Sequence, residues 1–287
     1  MIVKLIALVL ALGVALLTAQ TALAGFDEGV AALQLKQYAV ALDEWQKSAE
    51  AGDARSQYGL GYLYQFGLGT EPDNNQALAW YQKAAAQKEP DALFALGLMY
   101  ESGSAGKRDR PKAIELYRQA AATGHSVDAE YALGRIYLRG QDVPRDEKEA
   151  LTWITMAANE GQPGAQYLLG EAYEVGGTFK QDKVEAYYWY TGALSGDAAV
   201  LSATDPEFDP KTALSVLETH MTAREIEAAK AKLKKTPPPS PGLPVVAAPA
   251  PAGSPAPTAT PAPTPAAAPT ATPAPTAAPT AKPAKNG

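Results

Sequence analysis

The feature that most limits what this chain can fold into is a fourfold internal repeat. Tyr58, Phe94, Tyr131 and Tyr167 are each followed three residues later by a glycine, at Gly61, Gly97, Gly134 and Gly170. Three further on come Tyr64, Tyr100, Tyr137 and Tyr173, and three beyond those Gly67, Gly103, Gly140 and Gly176. Six residues later stands an aspartate (Asp73, Asp109, Asp146, Asp182), and four after it an alanine (Ala77, Ala113, Ala150, Ala186). The repeats start 36, 37 and 36 residues apart. A fixed period of this length marks an array of small units, none of which buries its apolar face alone.

Each unit reads as two helices. Aromatic and glycine at three-residue steps lie roughly on one stripe of the first helix. The mid-helix glycine costs about 1 kcal/mol of propensity relative to alanine, so its return at one phase predicts a close helix–helix approach. The second glycine predicts a helix end in the left-handed conformation. In the linking loop, which takes in Pro72, Pro111 and Pro144, the aspartate is placed to cap the second helix. That helix carries Ala77, Trp80-Tyr81 and Ala84-Ala85, echoed at Ala113, Leu116-Tyr117 and Ala120-Ala121, at Ala150, Trp153-Ile154 and Ala157-Ala158, and at Ala186, Trp189-Tyr190 and Ala193. Gly124, Gly161 and Gly196, with Lys88 near the same place in the first unit, are expected to stop it.

The units are bounded here as 54–91, 92–128, 129–164 and 165–198. Before them, residues 25–53 read as a divergent pair with a short turn, from Phe26-x-x-Gly29 to Tyr38, Ala41, Trp45 and Ala49. After them, residues 199–236 hold two closing helices, one capped by Asp209 and one opened by a capping box at Thr222 and Glu225. The fold class expected is all-α, with the pairs stacked into a right-handed superhelical solenoid.

The pattern resembles the Sel1-like repeat family, relatives of the tetratricopeptide repeats. It is carried here by Ala129, Tyr131, Gly134, Tyr137, Gly140, Asp146, Ala150, Trp153, Ala157-Ala158 and Gly161, over roughly residues 26 to 235. The resemblance implies an adaptor or regulator that holds other proteins in the periplasm, at membranes or in the secretory pathway. Some secreted relatives link every repeat by disulfides. This chain has no cysteine, so it depends on apolar packing alone.

The chain opens on Met1 to Lys4, an apolar run from Leu5 to Leu17 and the small-residue site Ala22-Leu23-Ala24, which reads as a secretory signal cleaved after Ala24. The run is about 13 residues, short of the roughly 20 needed to span a bilayer, so no transmembrane segment is expected after cleavage. The expected location is the periplasm, or outside the cell. From Pro237 to Gly287 the chain holds 17 of its 24 prolines, mixed with Ala and Thr, and is read as a disordered, extended tail. Its only charges are Lys282 and Lys285, which point to a contact with anionic wall polymer or to none. Leaving these and Lys4 aside, 22 basic residues face 31 acidic ones, a balance that argues against nucleic acid as a partner.

Nothing points to enzyme chemistry or to a cofactor. His125 and His220 lack a second ligand at metal-binding spacing, and no zinc-protease, hydrolase or phosphate-loop motif is present. Glu171 and Glu174 share a helix face as a glycosidase pair would, though solvated acids are the ordinary reading. A protein partner in the cell envelope is the expected ligand, with cell-wall glycan as the alternative, stacked on Tyr187 or Tyr188, and a glycan-processing enzyme as the most remote one. By similarity to tetratricopeptide domains, the partner surface falls on first-helix positions that differ between repeats: Tyr62, Gln65, Phe66, Leu98, Glu101, Arg135, Leu138, Arg139, Glu171 and Glu174. On this reading Tyr62, Phe66, Leu98 and Leu138 form one exposed patch. The neighbours Arg135 and Arg139 form a small anion site or are neutralised by acids such as Glu130 or Glu171.

Overall fold

Alternating large and small apolar residues on helical stripes leave the chain one way to bury them, helix against helix. The computed structural model describes residues 25–124, 126–140, 142–194 and 208–240, and all regular structure among them is helical. Helix α1 (25–34) is followed by α2 (Tyr38–Glu50), α3 (Ala54–Phe66), α4 (Asn74–Ala86), α5 (Pro90–Ser102) and α6 (Arg110–Gly124). Then come α7 (Val127–Arg139), α8 (Glu147–Asn159), α9 (Pro163–Val175), α10 (Lys183–Ala193), α11 (Pro210–Thr219) and α12 (Ala223–Lys235). The expected signal, Gly196, His125 and the tail beyond Ser240 lie outside the described residues.

Successive helices pack on one another from α2 to α10, and α10 receives both α11 and α12. Within each repeat the close approach is real. A Cβ at Gly61 would lie 2.5 Å from the Tyr81 ring, at Gly134 2.5 Å from Ile154 and at Gly170 2.7 Å from Tyr190, and at Gly97 it would run into Tyr117. The missing side chain lets α4, α6, α8 and α10 each press a large residue onto the partner helix. Tyr81, Met99 and Tyr117 are fully buried in one cluster that runs from α4 through α7 and so crosses the repeat boundaries. Burial of each such side chain contributes about 1.5–3 kcal/mol.

The loops obey the expected chemistry. Gly67, Gly103 and Gly140 take the expected left-handed conformation, whereas Gly176 has positive φ with an extended ψ of −170° and departs from it. The backbone N–H of Asp73, Asp109, Asp146 and Asp182 donates to the carbonyl of Tyr64, Tyr100, Tyr137 and Tyr173 at 2.8–3.0 Å, closing each loop. Their carboxylates then accept from the next helix, Asp73 from Asn75 N (2.8 Å) and Gln76 N (3.0 Å), Asp146 from Glu149 N (2.9 Å).

Three local expectations are corrected. Pro111 sits in the first turn of α6 rather than in the loop, where its missing N–H costs no hydrogen bond. Gly124 is still helical and serves a close approach to Pro90, whereas Gly161 and the non-glycine Lys88 do turn with positive φ. Helices α5, α7 and α9 begin at Pro90, Val127 and Pro163, two residues before the repeat boundaries read from the pattern; α5 and α9 open on a proline that a first turn tolerates, and α7 is capped by Ser126.

At the start, α1 and α2 form the expected divergent pair, with Trp45 donating its indole N–H to the carbonyl of Phe26 at 3.1 Å. At the end, Asp209 accepts from Lys211 N and Thr212 N, and Thr222 with Glu225 makes the capping box.

Candidate functional site

A groove of about 260 Å³ opens between α5 and α7. Phe94, Leu98 and Glu101 line it from α5. Asp128, Tyr131, Ala132, Arg135, Ile136 and Arg139 line it from α7, and Arg110 and the α9 cap Gln162 complete it. The α7 residues recur at three- and four-residue steps, which puts them on one stripe of a straight helix. From Asp128 to Arg139 that stripe runs about 16 Å at 1.5 Å per residue. Leu98 is 43% exposed, an uncovered leucine in the groove wall.

Charge along the groove is polarised. Asp128 lies at the α7 N-terminal end, its carboxyl held above the usual range by burial and partly restored by a hydrogen bond from the Gln162 side chain. Arg135 and Arg139 lie toward the other end, with the Arg135 guanidinium 5.4 Å from the centre of the Tyr131 ring. Glu101 is engaged within the repeat. It accepts from the Tyr117 hydroxyl at 2.9 Å and from Arg110 at 3.5 Å, while Arg110 also reaches Asp142 at 3.2 Å.

Of the ten residues expected to face a partner, four come together here: Leu98, Glu101, Arg135 and Arg139. Tyr62 is corrected to the core. It is 8% exposed, its ring 4.7 Å from that of Phe66, and burial pushes its hydroxyl up to about 12. Phe66 and Leu138 are half-buried, so with Tyr62 and Leu98 they do not make one exposed patch. Gln65 and Glu174 accept hydrogen bonds from Tyr81 and Tyr190, each at 2.8 Å, inside their own repeats. Glu171 is exposed on α9 and does not line the groove.

Sequence reasoning missed Phe94, Arg110, Asp128, Tyr131, Ala132, Ile136 and Gln162. Phe94 and Tyr131 repeat and so read as scaffold. The stripe on α7 was the signal that finds Asp128, Tyr131, Ala132 and Ile136, which share a face with Arg135 and Arg139; Arg110 and Gln162 carry no such signal.

Of the two tyrosines read as a sugar platform, Tyr187 is half-buried and Tyr188 is buried. The Tyr187 hydroxyl donates to Glu218 at 3.0 Å. Tyr188 is buried beneath Lys232, whose ammonium lies 4.2 Å from the ring centre. Trp189 is interior, as its phase predicts. Among the described residues no helix is long and apolar enough to cross a membrane, and no three His, Asp or Glu side chains come together as a metal site.

Comparison with known proteins follows the same periodicity. Residues 54–89, 90–125, 127–162 and 163–194 each match the Sel1 repeat. A Sel1 repeat protein from Oxalobacter formigenes is similar in structure, with 34% identity and a TM-score of 0.53, over 60% of this chain and 49% of that one. The c5321 protein, a protective antigen of uropathogenic Escherichia coli with an SLR fold, shares 26% identity over 69% of this chain and 48% of its own, with a TM-score of 0.43. The immunity protein Pa5087 from Pseudomonas aeruginosa shares 21% over 72% and 82%, with a TM-score of 0.47. The chain thus spans about half the length of the first two structures. No curated protein matches it. The four helix pairs of residues 54–194 are Sel1 repeats, and the chain has the Sel1-like, tetratricopeptide-related α-solenoid fold.

Proposed function

We propose that this protein is a non-enzymatic interaction scaffold of the cell envelope that binds an extended segment of a partner protein along the α5–α7 groove. Sel1-repeat proteins generally act as protein-interaction scaffolds without catalysis, and the groove supplies a preformed surface for such a role. The observation that carries the reading is the polarised α7 stripe, with Asp128 at one end, Arg135 and Arg139 toward the other and Ala132 and Ile136 between, faced from α5 by Phe94, Leu98 and a Glu101 already engaged by Tyr117 and Arg110. At about 3.3 Å per residue, the 16 Å run fits an extended segment of roughly five residues. The complement is a peptide with a basic group near Asp128, apolar side chains over Leu98, and an acidic group near Arg135 and Arg139. Charge pairs of this kind fix direction and register more than affinity. The signal-like start, residues 1–24, supports the envelope location. The engagement of Tyr187 and Tyr188 within the C-terminal packing favours a protein over wall glycan as the partner.

The test is capture from an envelope extract with the full mature chain, run beside Leu98→Asp, the double variant Arg135→Glu/Arg139→Glu, and Glu71→Gln, exposed in the first repeat's loop, as an off-groove control. A partner held by the unaltered chain and the control, and weakened at least about tenfold by both groove changes, supports the reading. Equal retention by all four chains overturns it, as does retention of purified wall material alone.

A further inference from the structure

Beyond the groove, the last repeat differs from the other three on the outer face of its second helix. Two residues past the repeating alanine stand Ala79, Glu115 and Thr152, all exposed, but then Tyr188, which is buried. Six residues past it stand Lys83, Gln119 and Met156, again exposed and long, but then Gly192, also buried. Both substitutions mark the place where the chain returns after α12. The Tyr188 hydroxyl donates to the carbonyl of Pro237 at 3.3 Å. A Cβ at Gly192 would lie 2.8 Å from Oε1 of Gln166 and 2.9 Å from the Pro238 ring, so a long side chain there would take the space of both. Gln166 of α9, fully buried, divides its amide N–H groups between the carbonyls of Ala158 (3.2 Å) and Pro239 (2.8 Å). Lys232 pairs with Glu185 and covers the Tyr188 ring, fixing the tyrosine from the α12 side.

We propose that Tyr188, Gly192 and Gln166 form a built seat for a polyproline-II segment, and that its occupant is the chain's own Pro237–Pro239. All three prolines carry fixed φ, and Pro237 and Pro238 are each kept out of the helical region by the proline that follows, so the segment is largely extended before it docks and little order is lost. Proline segments cannot donate from the backbone, and their carbonyls are strong acceptors. The seat matches this with two side-chain donors set two residues apart along the segment, Tyr188 to Pro237 and Gln166 to Pro239, and a space without a side chain for the ring between them. Docking of this strap covers the outer face of α10 and anchors the Pro/Ala/Thr-rich sequence to the last repeat at a fixed point.

The absence of cysteine makes a cross-linking test direct. Full-length chains carrying Gly192→Cys with Pro237→Cys, Pro238→Cys or Ser240→Cys are oxidised mildly, and the intrachain disulfide is followed by mass. A strap merely tethered after Lys235 forms all three at similar rates, since closure depends weakly on length. A seated strap forms the Pro238→Cys bond at least about tenfold faster than the other two, because its local concentration at Gly192 is far higher. Similar rates for all three overturn the proposal, and so does a disulfide that forms only between two copies of the chain. Gly192→Met leaves every proline in place and provides the second readout. Where no strap is seated, this change displaces only the Gln166 side chain and leaves cleavage after Lys235 as it was. Over a seat it expels the strap, and tryptic cleavage after Lys235 rises at least about fivefold with the helix content unchanged, since cleavage follows the open population. Unchanged cleavage overturns the seat, whatever the change in stability.

Discussion

The hydroxyl of Tyr117 donates to Oε2 of Glu101 at 2.9 Å, from the second helix of a repeat back to the first. The bond recurs between Tyr81 and Gln65 and between Tyr190 and Glu174, both at 2.8 Å. In the third repeat the tyrosine is replaced by Ile154, and the acceptor position holds Leu138, packed against the cluster that contains it. A buried phenol requires an acceptor, and an isoleucine requires an apolar neighbour. The variation along this row is therefore set from inside each repeat.

Because Gln65 has Tyr81 as its partner, the pair is suited to a double-mutant cycle. Tyr81→Phe and Gln65→Leu are each expected to cost about 1 kcal/mol, the usual worth of a partly buried hydrogen bond. Together they should cost less than the sum, with a coupling of about 0.5–1 kcal/mol in urea unfolding. Additive losses would mean that the bond contributes nothing beyond packing.

Much of the scaffold was legible because its residues are fixed by local chemistry. Asp146 must follow Gly140 at a set distance to cap α8, and Gly134 must lack a side chain where Ile154 approaches, so both repeat. The groove was half legible for the same reason inverted. Arg135 and Leu98 stood out as departures from the pattern, whereas Tyr131 and Phe94 hide in it because one ring serves both packing and groove. Tyr62 misled because its burial rests on Tyr38 of α2 as well as on its own-helix neighbour Phe66, and the α2 contact is a tertiary fact that spacing does not carry.

Gly97 tests the close approach. An alanine there gains about 1 kcal/mol of helix propensity. Its methyl group, however, meets the ring of Tyr117, which is fully buried and has no room to withdraw. Overpacking of this kind costs about 1–3 kcal/mol, so Gly97→Ala should lower the unfolding midpoint. A raised midpoint would show that the glycine is not there for the contact.

Asp146 tests the cap. Its carboxylate accepts from Glu149 N at 2.9 Å in the first turn of α8, and no other side chain is described as capping that turn. Asp146→Ala should destabilise by about 1 kcal/mol, and Asp146→Ser should recover most of the loss, because serine caps nearly as well. A serine variant as weak as the alanine one would place the aspartate's role in charge rather than in the hydrogen bond.

The pH dependence of stability should carry two opposite contributions. The Asp91 carboxyl is raised, first by burial and then by the nearby charge of Asp128. The folded chain thus holds this proton more tightly than the unfolded chain, so the group adds stability below the unfolded value of about 3.9 and loses it as pH rises through the folded one. Asp91→Asn should then be more stable than the unaltered chain at neutral pH, with the advantage gone near pH 4. Much of the residue remains open to solvent, which keeps the effect small. Asp209 runs the other way. Hydrogen bonds from the Thr212 side chain and backbone hold its carboxyl low, so its contribution is present at neutral pH and lost as pH falls through the folded value. Asp209→Ala should therefore cost stability at pH 7 and cost little in strong acid. Melting curves of both variants from neutral pH downward would show their differences from the parent chain shrinking from opposite sides of zero. Differences of the same sign would refute the assignment of one of the two.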